Sequence, residues 1–304
     1  MPLAYARVMD SDNRLGAFLR ARRELARPED FGLSGGGQRR VAGLRREEIA
    51  LLAGVSADYY VRLEQGRDRH PSEQVIAALA RVFALDDEGT AHLRELARPV
   101  VKRPRAPRRP ERVAPGLLRL MNAWPHTPAL VLGKYLDVLA ANPLAEAVNS
   151  CSVPGVNQVR MIFLDPEARE LYSDWPTIAA DTVASLRATA GADLDDPRLT
   201  ELVGELSLKS EDFRQLWARH DVRVKTAGVK RFRNPMVGEL TLSYETLSVN
   251  GAPGQILIAY HAEPGSPSER SLALLGSLIA DKASDEDRDA RHSAGQPGAH
   301  RQKG

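Results

Sequence analysis

The stretch LRREEIALLAGVSADYYVRLEQG, Leu44 to Gly66, decides how this chain is read. Its apolar spacing predicts one helix from Arg45 to Ala53, with Ile49, Leu52 and Ala53 inward. A second helix starts at Ser56, a good N-cap, and stops at Gly66. Asp58 suits the positive end of that second helix. Tyr60 and Leu63, three residues apart, face its core side. Only Gly54, Val55 and Ser56 separate the two helices, and Gly54 supplies the backbone freedom of a tight turn. A link that short makes the helices cross steeply rather than lie antiparallel. Ala57, Asp58, Tyr59, Val61 and Arg62 are then left facing outward.

Outward from this elbow, Asp12 or Asn13 caps a helix LGAFLRARREL with Leu15, Phe18, Leu19 and Leu25 near one face. The segment RPEDFGLSGGGQRRVAG holds five glycines and no period, so a long loop is expected. After the elbow, Val75, Ile76, Leu79, Ala80 and Phe83 form one apolar stripe, and Asp86 opens a further helix through Ala97. Residues 1–97 therefore read as an all-α domain of five helices. Residues 98–112, RPVVKRPRAPRRPER, carry four prolines and seven basic residues and read as a stiff, extended linker.

Composition adds direction. The chain has 304 residues, 43% hydrophobic and 27% charged, enough for two domains. No apolar run approaches the roughly 18 residues of a membrane span, and no signal-peptide pattern opens the chain. One cysteine, Cys151, excludes an intrachain disulfide and suggests a reducing, cytoplasmic setting. The net charge of +2 is uneven: Met1 to Arg112 carries 22 basic and 16 acidic residues, a net +6, which leaves −4 for the remainder. A basic front half points to a polyanion partner.

Steep crossing, outward polar residues and positive charge together point to a helix-turn-helix that lays its second helix in the DNA major groove. The stretch resembles the helix-turn-helix of Cro and phage-repressor-like regulators, the xenobiotic-response-element family. That resemblance implies phosphate contacts from Arg45 and Arg46 and groove contacts from Ala57, Asp58, Val61 and Arg62, with Tyr59 beside them. Arg62 can reach guanine, Asp58 a cytosine amino group, and Ala57 or Val61 a thymine methyl. Asp58 can equally serve only the helix start. Arg67, after the helix, and Arg39 and Arg40, in the glycine-rich loop, are further candidates for backbone contact. Half an operator per domain makes a homodimer on a pseudo-palindromic double-stranded DNA site the default expectation.

The back half, 113–280, has a different pattern. PALVLGK and YLDVLAAN read as two strands, a helical stretch follows to about Arg219, and VRVKTAG, VKRFRN, VGELTLSYETLSV and GQILIAYHAE read as strands. The helical stretch is expected to break at Pro154-Gly155, Pro176, Gly191 and Pro197. A last helix runs Ser268 to Ala280, and 281–304 read as a disordered tail. This α+β order with an antiparallel sheet resembles the PAS-like architecture. FLDPEARELYSDW, LWARHDV, KRFRNPMVGELTLSYETL and AEPGSPS, in that order, resemble the MmyB-like (MltR-type) ligand-binding domain. VNSCSVPGVNQVRMIF and Ala141 depart from the usual pattern. The resemblance implies a sensor of a small apolar molecule such as a fatty acid. Its walls would come from Leu132, Val138, Met161, Phe163, Trp217, Phe232 and Tyr244, and its polar anchor from His220 or Arg231. Along a strand only one of Arg231 and Phe232 faces inward.

An enzyme is the rival class. None of the seven histidines makes an HExxH or H-x-x-x-H spacing, and neither a Walker loop nor GxGxxG occurs. GLSGG, Gly32 to Gly36, fits GxSxG but lies in a loop rather than between strand and helix. Asp193, Asp195 and Asp196 read as a helix start, not a metal cluster. The expectation is a regulator without enzymatic activity, cofactor or metal; the alternative is a back half that docks another protein.

Overall fold

Helix α1 (Arg14–Leu25) begins where the Asn13 side chain accepts from Gly16 N–H at 3.2 Å. A 3₁₀ turn (Pro28–Phe31) follows, then α2 (Arg46–Ala53), α3 (Ala57–Glu64), α4 (Glu73–Val82) and α5 (Asp87–Ala97). The computed structural model describes residues 13–33, 43–98, 110–150, 152–191 and 196–294, with side chains to Lys282. Arg39, Arg40, most of the basic linker, Cys151, Asp193, Asp195 and the last ten residues lie outside that range. Ser56, Ser72 and Asp86 cap α3, α4 and α5 by accepting from the N–H three residues on. Leu15, Phe18, Leu19, Leu44, Ile49, Tyr60, Leu63, Ile76, Leu79 and Leu93 form one core. Two expected core members differ. Leu25 ends α1 half-exposed, because Ala26 turns the chain extended, and Leu52 sits on the flank of α2, with Ala50 inward in its place.

The second body starts with α6 (Pro115–Asn122) and strands β1 (Ala129–Leu132) and β2 (Val138–Ala141). Helices α7 (Pro143–Val148), α8 (Gln158–Leu164), α9 (Glu167–Leu171), α10 (Trp175–Ala190), α11 (Pro197–Lys209) and α12 (Glu211–Ala218) follow. Strands β3 (Ala227–Asn234), β4 (Gly238–Ser248) and β5 (Ile256–His261) and helix α13 (Pro267–Ala294) complete it. The sheet is antiparallel throughout, in the order β2-β1-β5-β4-β3. On β4, Leu240, Leu242 and Tyr244 are buried while Glu239, Thr241 and Glu245 are exposed, the alternation of a sheet covered on one face. Helices α7 to α12 and the start of α13 cover that face in one apolar core. A smaller cluster around Met121, Val131 and Leu257 packs on the other.

Pro176 and Pro197 stand in the first turns of α10 and α11, so the helical stretch breaks just ahead of each, as expected. Two expectations change here. VRVKTAG is not a strand of its own, since Val222 to Thr226 lie outside any strand and β3 begins at Ala227. The closing helix does not stop at Ala280. It continues to Ala294, because no proline or glycine interrupts the chain between Gly276 and Gly295, and 281–294 are helix rather than tail.

Candidate DNA-binding face and ligand core

The elbow is built by backbone hydrogen bonds. Val55 N–H donates to the Ala50 carbonyl at 2.9 Å and Gly54 N–H to that of Leu51 at 3.2 Å, a Schellman ending with Gly54 at φ 69°. Ser56 Oγ then accepts from Tyr59 N–H at 3.2 Å and starts α3 one residue later. Tyr60, Leu63 and Glu64 are buried; Asp58 is exposed, Val61 and Arg62 are partly exposed, and Ala57 and Tyr59, expected to face outward, are partly buried against the core because they flank its buried face. Arg62 pairs with Asp58 one turn back, and its guanidinium lies 5.6 Å from the Tyr59 ring centre. An exposed pair of this kind is worth about 0.3–0.5 kcal/mol, so a base edge can displace it. Arg45 and Arg67 are exposed. Arg46 is half-exposed and donates from Nε to Glu64 at 2.7 Å. The Glu64 carboxylate is fully buried and also takes Arg23 Nε at 2.6 Å, so α3 is tied to both α1 and α2.

In the second body the candidate wall residues Leu132, Val138, Met161, Phe163, Trp217, Phe232 and Tyr244 all belong to one core, with Phe163 only partly buried and Ala141 packed beside them. Two chains of ring contacts run through it. Trp175, Phe163, Phe213 and Trp217 follow one another at 5.9, 5.2 and 5.8 Å. Tyr172, Phe232, Tyr260 and Tyr244 do so at 5.5, 5.8 and 5.9 Å.

Neither anchor candidate reaches this core as expected. Arg231 is exposed on the outer face of β3, because Phe232 takes the inner one. His220 turns to the first body instead: its carbonyl accepts from Arg22 at 3.0 Å and its ring meets Phe18 edge-on at 6.2 Å. The inward cation is Lys230, two residues before Phe232 and only 3% exposed. Strand parity carries the signal, since Lys230 and Phe232 share a face.

The two bodies meet along α1 and α5. Arg22 pairs with Asp221 at 3.0 Å, and Val224 N–H donates to Glu88 at 2.6 Å. Arg187 on α10 is fully buried behind them, 3.8 Å over the Trp217 ring and hydrogen-bonded to the Trp217 carbonyl. Burial, then Arg22, pulls its guanidinium down to about 9. Burial, then Arg187 and Arg22, pulls His92 down to about 4, and burial likewise pulls His220 to about 2. Beside this contact a cleft of about 430 Å³ opens between Asp86 and Glu88 of the first body and Asp181, Arg223, Lys225, Gly228 and Tyr244 of the second. A Cβ on Gly228 would stand 2.8 Å from the Tyr244 hydroxyl, so that ring needs glycine opposite it.

An elbow with outward polar side chains and a separate aromatic-lined core define a DNA-binding regulator with a ligand-binding domain. Compared with known families, residues 14–93 match a helix-turn-helix domain and residues 113–275 match the MmyB-like transcription regulator ligand binding domain. The chain belongs to the family of MmyB-like transcription regulators. No curated protein matches it. No helix among the described residues is long and apolar enough to cross a membrane, and no cluster of His, Cys, Asp or Glu among them is arranged to hold a metal.

Proposed function

We propose that the protein reads a specific double-stranded DNA operator through α3 and changes its grip on that operator when a small apolar molecule, such as a fatty acid, enters the aromatic core of the second domain. The observation that carries the DNA half is exposed Asp58 with partly exposed Val61 and Arg62 on a helix whose other face is buried. Arg62 and Asp58 take the base edges, Ala57 and Val61 meet thymine methyls, and Arg45, Arg46 and Arg67 hold phosphates. Tyr59 steadies Arg62 from the side. One elbow covers half an operator, so the working species is a homodimer on a pseudo-palindromic site.

The ligand half rests on the continuity of the aromatic rows with helices that touch the first domain. Trp217 both belongs to the core and carries Arg187 at the contact with Arg22 and His92. A ligand that favours one arrangement of this contact shifts DNA affinity by its differential affinity and no more. Genome-wide footprinting supplies the operator. On it, Arg62→Ala lowers operator binding more than bulk-DNA binding, whereas Arg46→Ala weakens both alike; equal losses in both variants would overturn the groove assignment. Native mass spectrometry of protein purified from its host tests the sensor. A bound small molecule supports it, and a stoichiometric second protein replaces it with a docking module.

A further inference from the structure

The sheet of the second domain leaves one stretch of edge open. Strand β3 is last in the order β2-β1-β5-β4-β3, so no strand lies on its far side. Backbone groups of successive residues alternate between the two sides of a strand. Thr246 N–H donates to the Thr226 carbonyl at 2.8 Å, which turns the even-numbered residues of this segment towards β4. Ser173 N–H donates to the Arg231 carbonyl at 3.3 Å from the other side, so Ala227, Val229 and Arg231 turn to the edge. The bridge between Tyr172 and Phe232 covers the edge at Arg231. At Ala227 and Val229 nothing among the described residues bonds the N–H and C=O groups, and both residues line the cleft between the domains. Two residues of strand place these open groups about 7 Å apart. The charges beside them are of both signs. Lys225 lines the same cleft, 5.6 Å from the Tyr244 ring centre, and no carboxylate among the described residues pairs with it. The Thr246 hydroxyl donates to its carbonyl and fixes its backbone. Burial first, then Lys230, lowers its amine to about 7, so an arriving carboxylate would restore its charge. Three acids line the cleft as well. Asp181 takes Arg223 at 2.7 Å, Glu88 takes Val224 N–H at 2.6 Å and Asp86 takes Gly89 N–H at 2.8 Å. A carboxylate accepts more than one hydrogen bond, so each keeps room for a further donor.

We infer that this cleft is a separate binding site, for a di- or tripeptide with free termini that lies along the open edge of β3. Its amides pair with Ala227 and Val229 as an added strand, its C-terminal carboxylate meets Lys225, and its ammonium meets the acids. Open backbone pairs beside charges of both signs fit a zwitterion that carries amides, and fit neither an alkyl chain nor a bare anion. The volume of about 430 Å³ lies within the range of small-molecule sites. The site stands at the edge of the sheet, outside the aromatic core, and does not depend on what that core holds. Asp86 and Glu88 come from the first domain and the strand edge from the second, so the peptide bridges the two and favours their docked arrangement.

The test presents the full-length protein with a pool of tripeptides with free termini, and with the same pool C-amidated or N-acetylated, in affinity-selection mass spectrometry. Retained peptides come from the free pool. Amidating the best of them costs about tenfold or more in affinity, the size of one charge-assisted contact. Lys225→Met, which keeps the stem and removes the charge, brings acid and amide within about twofold of each other. Val229→Pro removes one edge N–H where an edge strand tolerates proline, and weakens the peptide about threefold or more in a protein that melts like wild type. Retention of no peptide, equal retention of the capped pools, or an acid preference that survives Lys225→Met overturns the site. Unchanged affinity in a folded Val229→Pro protein overturns the strand pairing. None of these results touches operator reading or the core ligand.

Discussion

Two buried charges, one in each domain, are handled in opposite ways. Glu64, in the DNA-binding domain, is fully buried but meets guanidiniums from α1 and α2 at 2.6 and 2.7 Å. Lys230, in the ligand-binding domain, is as deeply buried and meets one phenol. The first charge is a finished structural tie: it locks α3 to its supports and so fixes the aim of Asp58 and Arg62. The second has no carboxylate paired with it among the described residues. The DNA-binding domain closes the electrostatics around its buried carboxylate internally, whereas the other domain keeps a buried cation that meets only a phenol.

The largest expected effect follows from breaking the finished tie. Glu64→Gln leaves Arg23 buried without its partner, and loss of one member of a buried pair costs about 3–5 kcal/mol. Thermal unfolding of the first domain should show most of that loss, together with loss of all DNA binding. A Glu64→Gln protein that melts within a degree or two of wild type would erase the contrast, because Glu64 would then be no more structural than Lys230.

Next comes the reading face itself. Arg62→Ala is expected to cost about 1–3 kcal/mol on the operator and to relax preference at one base pair, with the melting temperature nearly unchanged. Asp58→Ala frees Arg62 from an exposed pair, so its effect on stability should stay within about 0.5 kcal/mol. Competition footprinting with single-base operator variants separates the two residues. Uniform weakening across all variants by Arg62→Ala would move that residue from base reading to phosphate holding.

The domain contact gives a pH dependence. His92 and His220 are held neutral, far below their ordinary titration range, by burial first and then by Arg187 and Arg22 on His92, and by Arg187, His92 and Arg22 on His220. Separated domains would let both imidazoles titrate near 6.5, so the open form takes up protons that the docked form refuses. Docking is therefore fully stable above about 6.5 and weakens as pH falls towards about 4, by up to about 1.4 kcal/mol per pH unit for each histidine. Small-angle scattering or protease sensitivity of the junction between pH 7 and 5 reads this. A junction that tightens on acidification would mean that the histidines do not face it.

Much of this molecule was legible in its sequence, and the illegible parts share a cause. The elbow was readable because Gly54, Ser56 and the Tyr60–Leu63 spacing act within one turn of helix. Strand β4 was readable from period-two alternation, as in Leu240, Leu242 and Tyr244, whereas β1 is buried on all four residues and was readable only as a short apolar run. Parity allows only one of Arg231 and Phe232 inside but does not say which; with Phe232 inward, Arg231 goes out and Lys230 comes in. His220 was misplaced for a deeper reason. Its place depends on Phe18 and Arg22, about two hundred residues away, and no local period encodes such a contact. Arg187 too is placed by residues outside α10, the Trp217 ring and carbonyl and the His220 ring some thirty residues on, which the period of its own helix does not encode.

The smallest expected effect is the sharpest test of the contrast. Lys230→Met removes a buried cation that no acid pairs, and replacing an unpaired buried charge by an apolar group of similar shape is neutral or stabilising. The ligand-free domain should therefore melt within about 1 kcal/mol of wild type, or above it. The three tyrosines lose a cation–π partner, worth about 0.5–2 kcal/mol, but the chain no longer pays to desolvate an ammonium, which is several kcal/mol. The balance is neutral or favourable because no acid among the described residues pairs with Lys230. A loss of 3 kcal/mol or more, the size expected of Glu64→Gln, would mean that the tyrosine cage alone satisfies the ammonium, and that both domains close their electrostatics in the same way.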